Sequence, residues 1–253
     1  MTALSLMMLM LAAPDSLSTP PLEDILSRTA VSVERFWEQF SAVNCTEAVA
    51  QEKIGDKGKV AYRRESLFDY LILMSLQGDD LTVEESRILQ KEVGKQSDLP
   101  LLLTSGFSTL MLIFHPYYQG SFEFQRLEDE VTDQRRLRLS FRHVRGTRST
   151  SALRLRGKDY PLDLEGIAWV NPDTWTIKKI EAHLESPLDD LNLRSLRTVV
   201  KYGPQYFQSG GGSQWLPEEA SIDVETARQH WRNVHTFRDY RRFSVKSESV
   251  IAK

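Results

Sequence analysis

The chain has 253 residues, of which 41% are hydrophobic and 26% charged, with a net charge of −3. That length suits one large domain or two small ones, and the slight acidity argues against a dedicated nucleic-acid binder, whose domain would be strongly basic. Cys45 is the single cysteine, which excludes intramolecular disulfides and cysteine-rich zinc sites.

Residues 1–13 form a continuous apolar run ending in small residues, too short to span a bilayer and suited to a signal-peptide core. Residues 1–20 are therefore expected to be a signal peptide or leader, and residues 21–253 one domain, periplasmic or secreted. No later segment reaches the roughly 18 apolar residues of a membrane span. Ser18-Thr19-Pro20-Pro21 is a helix-start signal, after which Leu22, Ile25, Leu26, Ala30, Val33, Phe36, Trp37 and Phe40 recur at helical spacing. This predicts one amphipathic helix of about five turns, with an aromatic-rich face that must dock on something large and apolar.

From Val43 the period changes to two, with Val43, Cys45 and Val49 set against Asn44, Thr46 and Gln51. Turn residues at 55–58 and 78–80 separate this strand from two more, over residues 60–77 and 81–90. Residues 92–98 read as a loop. Residues 100–114 return to helical spacing through Phe107, Leu110, Met111 and Phe114, and predict a short, very apolar second helix. Phe122 and Phe124, then Leu137, Leu139 and Phe141 set against Arg136, Arg138 and Arg142, predict a hairpin. Leu153 and Leu155 begin a weaker strand.

In residues 166–184, strand-forming runs flank Asn171-Pro172-Asp173-Thr174, a turn whose Pro presets φ and whose Asn and Asp can bond their own backbone. The second arm alternates Ile180, Ala182 and Leu184 with Lys179, Glu181 and His183. Leu196, Thr198, Val200 and Tyr202 mark the next strand, the 209–213 segment (SGGGS) a loop tip, and residues 215–225 and 231–245 the last two strands. Nine or ten hairpin-linked strands with two helices predict an α+β, mainly β fold: one antiparallel sheet with helices packed on one side.

Catalytic patterns are poorly matched. Cys45 lies on the Val43 side of its strand and reads as a buried small hydrophobe. Gly106-Phe107-Ser108-Thr109-Leu110 begins like a nucleophile elbow but lacks the second glycine. His230 and His235 are an odd number apart on a strand and point to opposite faces, so they do not share a metal. No cofactor, metal or catalytic residue is expected. The acidic pairs Asp79-Asp80, Glu84-Glu85 and Asp189-Asp190 read as solvated surface. The arginines from Arg135 to Arg156 read as a charged outer sheet face balanced by Glu123, Glu128, Asp129 and Glu130.

The order helix, strands, short apolar helix, more strands, together with Gly166-x-x-Trp-Val-Asn-Pro-Asp-Thr and the later Trp215-Leu216-Pro217, resembles the bacterial outer-membrane lipoprotein-sorting (LolA/LolB-like) superfamily, in particular its exported uncharacterised members. The resemblance implies a strongly curved antiparallel sheet, an unclosed barrel with helices on its concave face and an apolar cavity between them for acyl chains. It also implies a non-enzymatic, monomeric protein whose partner is a lipid or lipoprotein, with Phe107, Met111, Phe114, Trp169 and Tyr202 lining the cavity. The alternative is an envelope protein–protein interaction module with a side-chain-filled core and no ligand.

Overall fold

The computed structural model describes residues 20–41, 43–77, 80–93, 104–132, 134–155, 158–207 and 212–242. Helix α1 (Leu22–Phe40) is the predicted amphipathic helix. Glu23 and Asp24 in its first turn complement the helix dipole, and Ile25, Thr29, Ala30, Val33, Phe36 and Phe40 form its buried stripe. Strands β1 (Val43–Ile54), β2 (Val60–Gln77) and β3 (Asp80–Val93) follow. Then come β4 (Thr104–Ser105), a 3₁₀ segment Leu110–Phe114 and the four-residue α2 (Pro116–Gln119). The remaining strands are β5 (Phe122–Val131), β6 (Arg135–His143), β7 (Ala152–Leu155), β8 (Lys158–Pro161), β9 (Leu164–Val170), β10 (Ile177–Leu184), β11 (Leu193–Tyr206), β12 (Ser213–Thr226) and β13 (His230–Arg242).

Ten of these strands make one antiparallel sheet in the order β3-β2-β1-β13-β12-β11-β10-β9-β6-β5, while β4, β7 and β8 form a small second sheet. The first and last strands of the large sheet in chain order, β1 and β13, pair side by side near its middle, from Val43 opposite Arg242 to Ile54 opposite His230. The sheet stays open, with β3 and β5 as its edges. It is also strongly curved. Tyr70 on β2 bonds Ser108, and Phe124 on β5 packs on Phe114 with ring centroids 5.1 Å apart. Those strands are the second and tenth in the order, about 38 Å apart if flat at roughly 4.8 Å per strand. Six residues of tight turn and 3₁₀ chain advance only about 12 Å, and side chains stand perpendicular to a sheet rather than along it. The sheet must therefore curl around the short segment, with α1 beside it on the concave face.

Aromatic contacts fasten the two layers. Phe36 meets Tyr202 of β11 edge-on at 6.1 Å, Phe40 reaches Tyr240 of β13 at 6.4 Å, and Phe114 meets Phe141 of β6 at 6.4 Å. Such pairs contribute about 0.5–1.5 kcal/mol beyond their area burial.

The second helix is not formed as expected. Its residues 100–103 lie outside the described part of the chain; beyond them stand β4, a left-handed Gly106 at φ +82°, and a five-residue 3₁₀ run in which Leu110, Met111, Leu112, Ile113 and Phe114 are all buried. A segment apolar on every side lies between sheet and helix and has no solvent face to define a helical stripe. No helix among the described residues is long and apolar enough to cross a membrane.

Candidate functional site

Phe107, Met111, Phe114 and Tyr202 come together in one continuous core beneath α1, each 2% exposed or less. The Tyr202 hydroxyl accepts a hydrogen bond from the Met111 backbone N–H at 3.1 Å, which ties the 3₁₀ segment to β11. Burial raises the Tyr202 phenol well above its ordinary range, so it remains protonated.

Trp169 is not with them. Its neighbours Ala168 and Val170 enter the core, and the strand alternation turns Trp169 to the convex face. There its indole Nε1 donates to Glu130 Oε2 at 2.8 Å, the Lys179 ammonium lies 3.7 Å from its ring centre and the Arg138 guanidinium 5.7 Å. Small side chains at Gly166, Ala168 and Val170 suit the crowded inner face, and the large ring is clothed instead by charged side chains outside.

A cleft of about 660 Å³ opens where the start of α1 meets the β9–β10 turn. Arg28, Arg135, Arg136 and Asp173 line it with Trp175 and Leu137, and Leu137 is fully buried in the main core. The cleft therefore has a cationic rim, and the main core begins directly behind it at Leu137. Asn171 shapes the turn beside it: its side-chain Oδ1 accepts from the backbone N–H groups of Asp173 and Thr174 at 2.8 and 3.1 Å. Trp175 closes the turn by donating its N–H to Asn171 O at 2.9 Å, at the left-handed φ of +61°. That backbone geometry normally calls for glycine or asparagine and costs a bulky residue about 1–3 kcal/mol. The Arg28 guanidinium lies 4.9 Å over the Trp175 ring.

A second polar assembly lies on the concave face at the other end of the sheet. Glu47, fully buried, accepts from Arg87 Nε at 2.7 Å and faces His235 Nδ1 at 2.8 Å. Arg87 also pairs with Glu85 at 2.7 Å, and Glu85 accepts the Gly106 N–H at 2.7 Å. Burial acts to raise the Glu47 carboxyl, but the hydrogen bond from His235 and the charge of Arg87 outweigh it and hold it below the usual range. Nearby, Gln51 Nε2, Ser66 Oγ and His235 Nε2 are buried without a hydrogen-bond partner. Gln51 thus faces inward with Val49, not outward with Thr46, and Glu85 is not solvated surface.

The remaining candidates are structural. Cys45 is buried, and desolvation with the nearby Glu47 charge raises its thiol far above the range of a nucleophile. Ser108 is buried and shares a 2.7 Å hydrogen bond with the Tyr70 hydroxyl. His230 bonds Asp223 on the outer face while His235 points inward, as strand parity requires. Of the arginine concentration, Arg142 pairs with Glu123, Arg135 with Asp129 and Arg145 with Asp163. Arg156 and the side chain of Arg154 lie outside the described residues.

No protein-family model matches the chain, and no curated protein matches it in sequence. Solved structures do match in three dimensions. A DUF1329 family protein from Desulfovibrio piger is 13% identical at a TM-score of 0.46, over 90% of this chain and 96% of that one. A LolA superfamily protein from Nitrosomonas europaea is 16% identical at 0.40, again over 90% and 96%. An outer membrane lipoprotein-sorting protein domain from Vibrio parahaemolyticus is 10% identical at 0.41, over 89% and 95%. Two of these three neighbours bear the name of the family that the sequence resembles.

Neither the cleft nor the Glu47 assembly was found by sequence reasoning. Glu47 did leave a signal, since it falls in phase with Val43, Cys45 and Val49 and so puts a charge on the apolar side of its strand. The cleft left none, because Arg28, Arg136 and Trp175 come from α1, β6 and the β9–β10 turn, which only strand pairing and helix docking bring together.

Proposed function

We propose that the chain is a non-enzymatic, exported binding protein that holds an acyl-bearing lipid or lipoprotein segment between the curved sheet and the layer formed by α1 and the 3₁₀ run. One observation carries this reading: the 660 Å³ cleft at the N-terminal end of α1 borders Leu137, which is buried behind it in the main core. A tail entering there meets Leu139 and Phe141, the next inward residues of β6, with Phe114 packed on Phe141. Entry requires the start of α1 to move, and its tethers include the hydrogen bonds from Arg126 Nη1 to Pro20 O at 3.1 Å and from Gln119 Nε2 to Leu26 O at 3.2 Å. Each buried methylene contributes about 0.8 kcal/mol, so a long acyl chain can offset the displacement of a few core contacts. Phe107, Met111, Phe114 and Tyr202 are the residues such a tail would touch.

The test is native mass spectrometry of the protein purified from a host with an outer membrane, with extraction of any bound lipid and a thermal-shift titration with long-chain fatty acids. A bound lipid in stoichiometric amount, or a rise in Tm with fatty acid, is expected. Recovery of no lipid together with an unchanged Tm overturns the reading.

A second reading has its own observation. β3, an edge strand among the described residues, exposes Ile88 and Leu89, 66% and 51% accessible. An envelope protein adding a strand there would make the chain an interaction module with a filled core. Ile88→Lys would then abolish crosslinking to the partner in envelope extracts while leaving any lipid content unchanged.

A further inference from the structure

Resting on the acyl-binding reading, we propose that the cleft at the end of α1 selects an anionic oxygen headgroup, a carboxylate or phosphate, and that Arg28 and Arg136 are its cationic ligands. Among the described residues the charge count favours an anion: Arg28, Arg135 and Arg136 line the cleft against one carboxylate, Asp173. Arg135 is engaged with Asp129 at 2.7 Å, and Asp129 also pairs with Arg126 at 2.6 Å, so that single acid is shared by two guanidinium groups. Among the described residues neither Arg28 nor Arg136 has a carboxylate partner. Arg136 donates to Gln134 Oε1 at 2.8 Å and to Arg135 O at 3.2 Å, and Arg28 stacks on Trp175. Arg28 is exposed and Arg136 half-buried, and beside neutral acceptors each keeps its full charge directed at whatever enters.

One further observation falls on the same spot. Trp175 keeps its left-handed backbone at a cost, and strain of this kind is concentrated at ligand clamps. Its ring lies 4.9 Å from the Arg28 guanidinium, a cation–π contact that occupies no N–H donor with a carboxylate.

The experiment compares ligands with one tail and different heads. Oleate, oleyl alcohol and oleoyl lysophosphatidate are titrated into the full chain by isothermal calorimetry, with inorganic phosphate as the head alone. We expect oleate and lysophosphatidate to bind at least tenfold more tightly than oleyl alcohol, and the preference to shrink as salt is raised from about 20 to 500 mM. In Arg28→Gln and Arg136→Gln, the preference should fall to within about twofold while affinity for oleyl alcohol stays unchanged. The wild-type head comparison and its salt dependence need no variant, so they decide the matter even if a substitution fails to fold. Equal affinity for oleate and oleyl alcohol overturns the headgroup assignment and leaves acyl binding intact. Binding of neither overturns both. Inorganic phosphate binding as tightly as lysophosphatidate, with oleyl alcohol not binding, makes this a free-anion site and overturns the lipid assignment.

Discussion

At the scale of single residues, Gly166 shows how a side chain's absence builds the sheet. A Cβ there would stand 2.0 Å from Glu181 O and 2.8 Å from the Ala182 Cα on the neighbouring strand β10. Those are backbone atoms, which cannot rotate aside. Gly166→Ala should therefore destabilise the fold by about 1–3 kcal/mol, the range for overpacking a filled interior, and lower the urea midpoint without changing the m-value. An unchanged midpoint would mean that β9 and β10 separate freely there. Gly166 stood out in the sequence as the first residue of the hairpin motif, but its reason was not legible, because it lies in the close approach of a partner strand. The turn itself was legible: Asn171 bonds the N–H groups of Asp173 and Thr174 by local chemistry that needs no distant partner.

At the scale of elements, alternation proved reliable wherever a strand kept one face wet. β6 and β11 bury Leu137, Leu139 and Phe141, and Leu196, Thr198, Val200 and Tyr202, with the parity that their sequences predict. The resemblance put Trp169 of β9 in the cavity, but the inward side of that strand carries Gly166 and Ala168, and Trp169 lies on the convex face beneath Lys179 and Arg138. This gives a direct comparison: Trp169→Ala should leave fatty-acid affinity unchanged, whereas Phe114→Ala should cost about 3–5 kcal/mol of stability, as expected for a fully buried Phe. Titration of both variants with the same fatty acid, beside their denaturation curves, checks the pair. A loss of affinity in Trp169→Ala equal to that in Phe114→Ala would contradict the assignment of faces. The 3₁₀ run failed as a helix expectation on similar grounds, because Leu112 and Ile113 fill the positions where a surface helix would show polar residues.

At the scale of the whole molecule, the Glu47 assembly joins parts of the chain that are far apart in sequence: β1 through Glu47, β3 through Glu85 and Arg87, the Gly106 turn, and β13 through His235. It ties edge strand β3 across the concave face to the neighbouring pair of first and last strands, β1 and β13. Glu47 has a folded pKa below its ordinary value of 4.5, so on the acid side the unfolded chain binds the extra proton first. Its contribution is complete above about 4.5 and is lost as pH falls through the lower, folded pKa. Glu47→Gln removes the buried charge that Arg87 and His235 face, and breaking one member of a buried ion group costs about 3–5 kcal/mol. The variant should lose that much at pH 7, and below about pH 4.5 its stability should fall less steeply than that of the parent chain, because one titrating group is gone. Urea denaturation at half-unit steps from pH 3 to pH 7 measures both quantities. An acid slope identical in the two proteins would show that Glu47 is not charged in the folded state, and the arrangement of Arg87 and His235 around it would then need a different account.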